Sequence, residues 1–356
     1  MTFSNILIKW YLQNKRDMPW RNTTNPYYIW LSEIILQQTR VEQGTAYYLK
    51  FVEIFPTVYD LASAKESEVL KLWQGLGYYS RARNLHFTGN YIVNELNGQF
   101  PSTYNEILKL KGVGDYTASA IASFCFDEPT AVVDGNVYRV LSRFFDIETP
   151  INSTKGIKYF KELAQELIDV DNAATHNQSI MEFGARMCKP QNPDCEICPL
   201  NDKCLALQQN KIKSLPVKDK KIKLKKRFFN YLVLVSSDEK TILNLREGKG
   251  IWQGLYEFPL VESEKTIDKD ELQEYELFKK IVGNTAFELD LYNNQEKIHK
   301  LSHQHLYTRF WILKVDKNEF TTINWKQINS FPVPILIHNF VEELKRTIIF
   351  SIFDKK

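Results

Sequence analysis

The chain has 356 residues, a formal net charge of +3 and a hydrophobic share of 44%. This length predicts two or three domains, and the composition is that of a soluble globular protein, which excludes a disordered or fibrous chain. No apolar stretch is long enough to span a membrane, and the N-terminus lacks the features of a secretory signal. Because the cysteines do not form a disulfide framework and no export signal is evident, we expect a cytoplasmic protein without a membrane partner.

The first chemically informative segment surrounds Glu33, the only charged residue of Tyr27–Thr39. On a helix, Glu33 would share a face with Ile29 and Gln37. Its carboxylate would then lose hydration, and its pKa would rise. A carboxyl that stays protonated suits a general acid. From this segment alone, the favoured interpretation is instead that Glu33 lies at a helix edge and extends its carboxylate into solvent.

Residues 1–210 show further patterns that are typical of helices. Ser63 with Glu66 forms a capping-box pattern, and Thr103 with Glu106 repeats it. Between these two starts, residues 80–96 are predicted to form a helix. The N-terminal region is therefore expected to be mainly helical.

The segment Leu108–Ala118 resembles a helix–hairpin–helix motif. Gly112 and Gly114 permit a tight turn. The backbone N–H groups of such a turn, together with the next helix N-terminus, can bind a phosphate without reading sequence. An ordinary connection between two helices is the alternative.

Asp134 lies where a loop enters a helix, within Thr130–Arg139. An aspartate there most often caps the helix, and the helix N-terminus favours its ionised form. One carboxyl kept neutral and one kept ionised is the pair that breaks a glycosidic bond. Together with a phosphate-binding hairpin, Glu33 and Asp134 indicate cleavage of an N-glycosidic bond in DNA.

Four of the five cysteines have the spacing C-x6-C-x2-C-x5-C: Cys188, Cys195, Cys198 and Cys204. Thiolates clustered in this way hold a metal or an iron–sulfur cluster. Zinc is the alternative, although four-cysteine zinc sites more often contain two C-x2-C pairs. The spacing favours one four-iron four-sulfur cluster in a loop over 188–204.

The chain changes character after this loop. Residues 211–227 hold eight lysines and one arginine against one aspartate, which predicts a basic linker that is either solvated or in contact with phosphates. Beyond it, alternating and apolar runs predict a smaller α+β domain over 228–356. Its expected strands are Phe228–Val235, Thr241–Leu245 and Leu306–Val315, and its expected helices are Glu271–Ile281 and Ile335–Ile348.

Taken together, these features resemble the adenine DNA glycosylase family. The likeness rests on the cysteine quartet, the hairpin, Leu31–Thr39 and Val133–Val137, and it extends to Pro19–Arg21 and Trp73–Arg83. It is dense over residues 16–204 and looser in the C-terminal domain. It implies a helix–hairpin–helix glycosylase fold, with a six-helix barrel and an iron–sulfur domain over 1–210, followed by a Nudix-like domain over 228–356. In such an enzyme the four thiolates would hold the loop Lys189–Asp194 near the DNA backbone.

The resemblance also implies an activity and roles for single residues. The expected enzyme is a monomer that flips adenine out of duplex DNA, opposite 8-oxoguanine or guanine, and removes it. Glu33 would protonate adenine N7, Asp134 would stabilise the sugar cation, and Tyr116 and Asn136 would support them. Around the flipped adenine and the opposite strand the resemblance places Arg21, Gln178, Gln38, Thr39, Leu76 and Tyr78, with Tyr78 as the wedge in the base stack.

Three details narrow this prediction. Endonuclease III resembles the same region but has a lysine where this chain has Tyr116, and tyrosine cannot form a Schiff base. We therefore expect base removal without strand cleavage. The acidic run Glu271–Glu276 lacks the order of a Nudix metal site, so no pyrophosphate hydrolysis is expected. Ser302 and His303 match a family loop that probes 8-oxoguanine, and both offer hydrogen bonds.

Two other functions remain open at this point. One is a related glycosylase that removes thymine opposite guanine, which would share Tyr116 and the cluster. The other is an iron–sulfur DNA-binding scaffold without catalysis. The C-terminal domain argues against the first, and the presence of both Glu33 and Asp134 argues against the second.

Overall fold

The computed structural model describes residues 2–219, 224–316 and 319–352, and for residues 347–352 it describes the backbone alone. The chain forms two compact units. Unit 1 contains Met1–Ala64 and Asn84–Lys220, and unit 2 contains Lys65–Arg83 and Lys221–Lys356. A helical segment from the N-terminal region thus packs with the C-terminal part. Residues 220–223 of the predicted linker lie outside the described residues.

Helices dominate the first 210 residues, as the sequence predicts. In chain order they are α1 (Phe3–Asn14), α2 (Pro26–Leu36), α3 (Val41–Ile54), α4 (Val58–Ser63), α5 (Glu66–Leu72), α6 (Ser80–Glu95), α7 (Tyr104–Ile107), α8 (Asp115–Phe126), α9 (Gly135–Phe144), α10 (Thr154–Leu167), α11 (Ala173–Arg186) and α12 (Leu205–Gln208). In the part of the chain that the structure describes, no helix is both long and apolar enough to cross a membrane.

The predicted helix start at Ser63 is wrong. Ser63 is the last residue of α4, which itself starts at a capping box formed by Thr57 and Asp60. Helix α5 begins after Lys65, whose backbone N–H donates to Glu68 Oε2 at 2.8 Å. The pattern at Ser63 therefore falls inside a helix that an earlier cap has already started.

Helix α11 is the centre of unit 1, since α1, α8 and α9 all pack against it. Its Phe183 is 1% exposed, and Leu7 of α1, Ile121 of α8 and Leu141 of α9 are fully buried. Burial of these apolar side chains is the main stabilising contribution. This packing brings the starts of α8 and α9 next to each other.

The C-terminal part of unit 2 contains a mixed sheet of five strands in the order β5-β1-β8-β6, with β7 also paired to β8; β1 and β8 are parallel. Two further pairs, β2 with β9 and β3 with β4, form small sheets. The strands are β1 (Lys225–Ser236), β2 (Lys240–Thr241), β3 (Asn244–Leu245), β4 (Tyr256–Glu257), β5 (Leu260–Ser263), β6 (Phe287–Leu291), β7 (Lys297–Lys300), β8 (Gln304–Val315) and β9 (Ile323–Asn324), and the helices are α13 (Lys269–Gln273), α14 (Glu276–Val282) and α15 (Ile335–Ile352).

Two element predictions in this part are wrong. The single strand expected over 241–245 is two short strands that pair with different partners. The single helix expected over 271–281 breaks at Tyr275, whose backbone is extended. The break allows Leu272 on α13 and both Phe278 and Ile281 on α14 to enter one core cluster, which one straight helix would not achieve.

Candidate active site

A cavity of about 520 Å³ in unit 1 lies between the C-terminal end of α2 and the N-terminal ends of α8 and α9. Three predicted catalytic residues, Glu33, Tyr116 and Asp134, line it together with Gln38 and Gly114. These residues are up to about a hundred positions apart in the chain. Packing of three helices thus produces one site from separate motifs.

Glu33 lies on α2, and only 8% of its surface is exposed. Burial raises the pKa of its carboxyl from 4.5 to about 7; Asp134 adds to the rise, while Tyr116 and Arg21 oppose it. The side chain does not reach solvent at a helix edge. A carboxyl with this pKa is partly protonated at neutral pH and can donate a proton.

Asp134 is the N-cap of α9. Its Oδ1 accepts hydrogen bonds from the backbone N–H groups of Asn136 and Val137, both at 2.8 Å, and its Oδ2 accepts from Asn136 Nδ2 at 2.7 Å. Burial nevertheless raises the pKa of Asp134 above its ordinary value, and these bonds act in the opposite direction. The sequence analysis expected the helix N-terminus to favour the ionised form; the hydrogen bonds act in that direction, and burial opposes them.

Arg139 connects this carboxylate to the cysteine loop. Its Nη2 donates to Asn136 Oδ1 at 2.8 Å and to the Gly184 carbonyl at 2.7 Å. Its Nε donates to the carbonyl of Cys188, the first cysteine of the quartet, at 2.7 Å. Arg139 is 8% exposed, so these bonds hold a buried cation in one orientation.

The cysteine loop is held by a second buried arginine, Arg143, which is 2% exposed. It donates to Cys188 Sγ at 3.5 Å and to the carbonyls of Lys189 and Pro190 at 2.7 and 3.1 Å. The quartet cysteines are free, partly exposed, and near enough to affect one another electrostatically. Among the described residues, no group of three or more His, Cys, Asp or Glu side chains has the arrangement of a ligand set for a single metal ion.

Soft thiolate donors in one short loop suit an iron–sulfur cluster, and the Arg143 guanidinium offsets part of the negative charge that such a group brings. The residues present therefore fit this cofactor. Lys189 and Asp194, the two ends of the loop expected near the DNA, form an ion pair at 2.8 Å.

Arg21 and Gln178 belong to a polar cluster and are not among the described residues that line the cavity, although the charge of Arg21 lowers the pKa of Glu33. Glu182, which is 1% exposed, pairs with Arg21 Nη2 at 2.8 Å and with Arg16 Nε at 2.7 Å. Tyr11 donates to Gln178 Oε1 at 2.5 Å, and the Arg21 guanidinium lies 5.5 Å from the Tyr11 ring centre. Both arginines hold the pKa of Glu182 down to about 2, against the effect of burial.

Comparison with known proteins supports these observations. The profile of HhH-GPD superfamily base excision DNA repair proteins matches residues 31–166, that of the NUDIX domain matches 230–343, and that of the iron-sulfur binding domain of endonuclease III matches 188–204. An adenine DNA glycosylase of Buchnera aphidicola subsp. Baizongia pistaciae is 33% identical over 350 residues, which cover 94% of this chain and 95% of the relative. The chain belongs to the adenine DNA glycosylase family.

Two solved structures share the fold of the helical region. A thermostable thymine-DNA glycosylase is 30% identical with a TM-score of 0.54, and the match covers 58% of this chain and 95% of that one. A non-covalent endonuclease III–DNA complex has a TM-score of 0.51 at 22% identity, with 58% and 94% covered. This adenine DNA glycosylase family member thus combines a helix–hairpin–helix region, one four-iron four-sulfur cluster and a C-terminal Nudix-like α+β domain, and it is a base-excision repair enzyme that acts on DNA.

Substitution of Arg139 is expected to affect the cofactor and the catalytic carboxylate together. Arg139→Met removes the donors to Asn136 and Cys188, so we expect excision to slow by about ten-fold or more because charged hydrogen bonds are lost. The ratio of visible to ultraviolet absorbance, which reports cluster content, should fall as well. Arg186→Met, at an exposed position of α11, is the matched control. Normal cluster content and normal rate in Arg139→Met would contradict the connection.

In this family member, the conformation of the hairpin depends on Gly112. Gly112 has φ +82°, and a Cβ atom there would lie 2.6 Å from Asn84 Cβ, so glycine is required. Gly114 precedes α8 with open space around it. Asp115, an acidic residue beside the expected phosphate, is offset by Lys161 at 3.1 Å. Upstream, Thr103 caps α7, as its pattern predicts.

The residues predicted to contact the opposite DNA strand, together with the predicted wedge, are divided between the two units. Gln38, with φ +54°, and the partly buried Thr39 lie in unit 1. Leu76 and Tyr78 lie in unit 2; Leu76 is 8% exposed and Tyr78 47% exposed, and Tyr78 has φ +47°. Of these four residues, Gln38 lines the cavity that contains Glu33, whereas Thr39, Leu76 and Tyr78 are not among the described residues that line it.

Also within unit 2, the Tyr78 hydroxyl forms a hydrogen bond with Ser302. His303 is exposed, and its backbone carbonyl accepts from the Lys225 N–H at 3.1 Å. The sequence analysis treated the predicted wedge, Tyr78, and the predicted lesion loop, which contains Ser302 and His303, as separate features more than two hundred residues apart. The structure places them in contact.

Sequence reasoning missed the residues that support the site, namely Glu182, Arg139 and Arg143. Arginine and glutamate on amphipathic helices are usually solvated, and no spacing distinguishes these three. Their buried partners come from other helices, so tertiary contact alone reveals them.

Proposed function

We propose that this chain removes adenine opposite 8-oxoguanine, and also opposite guanine, by hydrolysis without strand cleavage. The observation that supports the proposal most directly is that Glu33 and Asp134 line one cavity in unlike surroundings. Glu33 has a pKa of about 7, and Asp134 accepts three hydrogen bonds. That difference is the one a glycosidic cleavage uses.

The proposed reaction begins when adenine leaves the base stack and enters the cavity, at a cost of about a few kcal/mol. Glu33 donates its proton to N7, and the bond between C1′ and N9 breaks with its electron pair going to adenine. The Asp134 carboxylate stabilises the sugar cation. Water adds to C1′, its proton returns to Glu33, and an abasic site and free adenine result. Tyr116, Asn136, Arg21 and Gln178 are proposed to support these two carboxyl groups and the base.

The absence of strand cleavage follows from the nucleophiles available at the cavity. None of the described residues that line the cavity is a lysine. Endonuclease III has a lysine at the position that Tyr116 occupies in this chain. Nearby Lys161 is engaged with Ser119 Oγ at 2.8 Å and the Ala131 carbonyl at 2.7 Å. We expect borohydride to trap no strong covalent adduct with substrate DNA. An abundant adduct that persists after Lys111 is replaced would contradict the proposal.

Within unit 2, we assign recognition of 8-oxoguanine to Ser302 and His303, with Tyr78 as the wedge. Leu76 of unit 2 and Gln38 and Thr39 of unit 1 are proposed to contact the DNA strand that carries the lesion. Both loop residues are exposed and can donate hydrogen bonds to a lesion. We expect the Ser302→Ala, His303→Ala double variant to lose about ten-fold or more of its preference for 8-oxoguanine over guanine, as loss of two hydrogen bonds predicts. The measurement is the ratio of single-turnover rates on the two duplexes, and an unchanged ratio would remove both residues from the site.

The remaining assignments concern ligands and partners. We propose that Cys188, Cys195, Cys198 and Cys204 bind the cluster, that the N–H groups of Gly112 and Gly114 bind a phosphate, and that the protein works as a monomer on duplex DNA in the cytoplasm. We propose a catalytic region over residues 1–210, a basic linker over 211–227 and a lesion-recognition domain over 228–356. Residues 65–83 of the catalytic region pack with unit 2.

The deciding experiment compares single-turnover base release from duplexes with adenine opposite 8-oxoguanine, adenine opposite guanine, and thymine opposite guanine. We expect the first to react fastest and the third not at all. The match to the thymine-DNA glycosylase structure covers 58% of this chain and 95% of that protein's chain. A large part of this chain therefore has no counterpart in it. Release of thymine would favour that alternative function.

A further inference from the structure

A tight turn in unit 2, residues 250–255, contacts the end of the helical segment 65–83. The Arg83 guanidinium donates to the backbone carbonyl of Gln253, with an N–O distance of 2.6 Å. Burial lowers the pKa of Arg83, and Glu66 opposes this effect. Since the acceptor is a main-chain atom, the contact depends on the path of the turn and not on the side chain of Gln253.

Gly254 lies against the same segment. Its φ is +81°, and a Cβ atom there would approach Leu70 Cδ1 to 3.1 Å and Arg83 Cδ to 3.7 Å. Both the backbone conformation and the close approach favour glycine at this position. The turn and the helical segment are therefore closely fitted.

The other side of the turn contacts the strand that leads to the lesion loop. Trp252 is 8% exposed, and its ring centre lies 5.7 Å from that of His299 on β7. Trp252 has φ +60°, which is a strained conformation for a bulky residue. Such strain persists where the surroundings impose it, and it is concentrated at functional positions.

The two elements that the turn contacts also meet each other. Tyr78, a few residues before Arg83, is hydrogen-bonded to Ser302, which follows β7. The Arg81 guanidinium lies 5.7 Å from the Tyr78 ring centre and donates to the Gly77 carbonyl at 3.2 Å. The wedge, the lesion loop and the turn thus form a closed set of contacts within unit 2.

We propose that the turn Gly250–Leu255 positions the wedge relative to the lesion loop, and that Arg83 is the positioning residue through which it does so. Arg83 acts through the Gln253 carbonyl and is not assigned a contact with any base. The inference rests on the proposed function, because it concerns how 8-oxoguanine is distinguished from guanine. It adds Arg83, which belongs to neither the wedge nor the lesion loop, as a positioning residue for that distinction.

The test is the Arg83→Met variant, which keeps the aliphatic stem and removes the donor. Single-turnover rates are measured on adenine opposite 8-oxoguanine and adenine opposite guanine. We expect the ratio of the two rates to fall about ten-fold, with the rate on the guanine duplex within about two-fold of wild type, as loss of one charged hydrogen bond predicts. Arg83→Lys should recover part of the ratio, since its ammonium group can donate to the same carbonyl.

Three further variants make the result decisive. Gly254→Ala disturbs the same contact from the turn, so it should lower the ratio even if Arg83→Met fails to fold. Gln253→Ala leaves the carbonyl in place and should preserve the ratio. Lys50→Met, at an exposed position of α3, removes the same charge and should also preserve it. Hydrogen–deuterium exchange over residues 73–83 should rise in Arg83→Met and not in Lys50→Met.

The outcomes separate this inference from the function on which it rests. If the wild-type protein shows no preference for 8-oxoguanine, the proposed function fails and the inference fails with it. If the wild type shows the preference and both Arg83→Met and Gly254→Ala retain it, the inference alone is overturned. A loss in Gln253→Ala equal to that in Arg83→Met would also overturn it.

Discussion

Glu33→Gln is expected to reduce the single-turnover rate of adenine release by about 10²- to 10⁴-fold, the usual contribution of a general acid. Glutamine has nearly the same shape and can keep a hydrogen bond with Tyr116, so the cavity should remain intact. What it lacks is a proton that can be transferred to the base. Glu53→Gln, at an exposed position of α3, is the matched control and should retain the wild-type rate.

The pH dependence tests the same role independently. Because the pKa of Glu33 is about 7, the protonated form becomes scarce above neutral pH. The wild-type rate should therefore fall about ten-fold for each pH unit above that value, as expected for one essential acid. The residual rate of Glu33→Gln should lack this limb. Near-normal cleavage by the variant, or a wild-type rate that stays level up to pH 9, would reject Glu33 as the acid.

Stability should change with pH in the opposite sense to that produced by a carboxylate whose pKa is lowered on folding. The pKa of Glu33 rises from 4.5 to about 7 on folding, so the folded protein holds this proton more tightly than the unfolded chain. Its contribution is complete below pH 4.5 and is lost as pH rises towards 7, an effect of about 3 kcal/mol. Glu33→Gln should thus gain free energy of unfolding relative to wild type between pH 4.5 and 7, as measured by urea titration.

Asp134→Asn is the second substitution with a large expected effect. It removes the negative charge that we propose stabilises the sugar cation, and loss of one such stabilising group slows a reaction by about 10²- to 10³-fold. Asparagine is as good an N-cap as aspartate, so the start of α9 should be kept and the free energy of unfolding should change by less than about 1 kcal/mol. Single-turnover rates and thermal unfolding measure the two effects separately.

Asp134→Ala distinguishes the charge from the cap. It should lose activity like the asparagine variant, and it should also lose about 1 kcal/mol of stability because Val137 and Asn136 lose their acceptor. If Asp134→Asn kept most of the wild-type rate, while binding duplex DNA normally, a charged group at this position would not be required.

Local motifs made much of the organisation predictable. Three elements could be predicted because each depends on residues that are close together in the sequence: the Thr103 cap, the long helix that starts at Ser80 and the strand Leu306–Val315. The same is true of the cysteine spacing, which identified the iron–sulfur loop. The prediction at Ser63 was wrong because two caps compete within ten residues, and the strand over 241–245 was wrong because each half pairs with a distant partner.

The sequence by itself determined the family and the cofactor, because both depend on residue types at fixed spacing within short motifs, and it predicted Glu33 and Asp134 as the two catalytic carboxyl groups. The tertiary structure alone decided their surroundings. Burial on α2 sets the pKa of Glu33, Arg139 connects Asp134 to the cysteine loop, and the turn at Gly254 fits the segment that carries Tyr78. Desolvation and contacts between distant elements exist only after the chain has folded, and so no local pattern of residues encodes them.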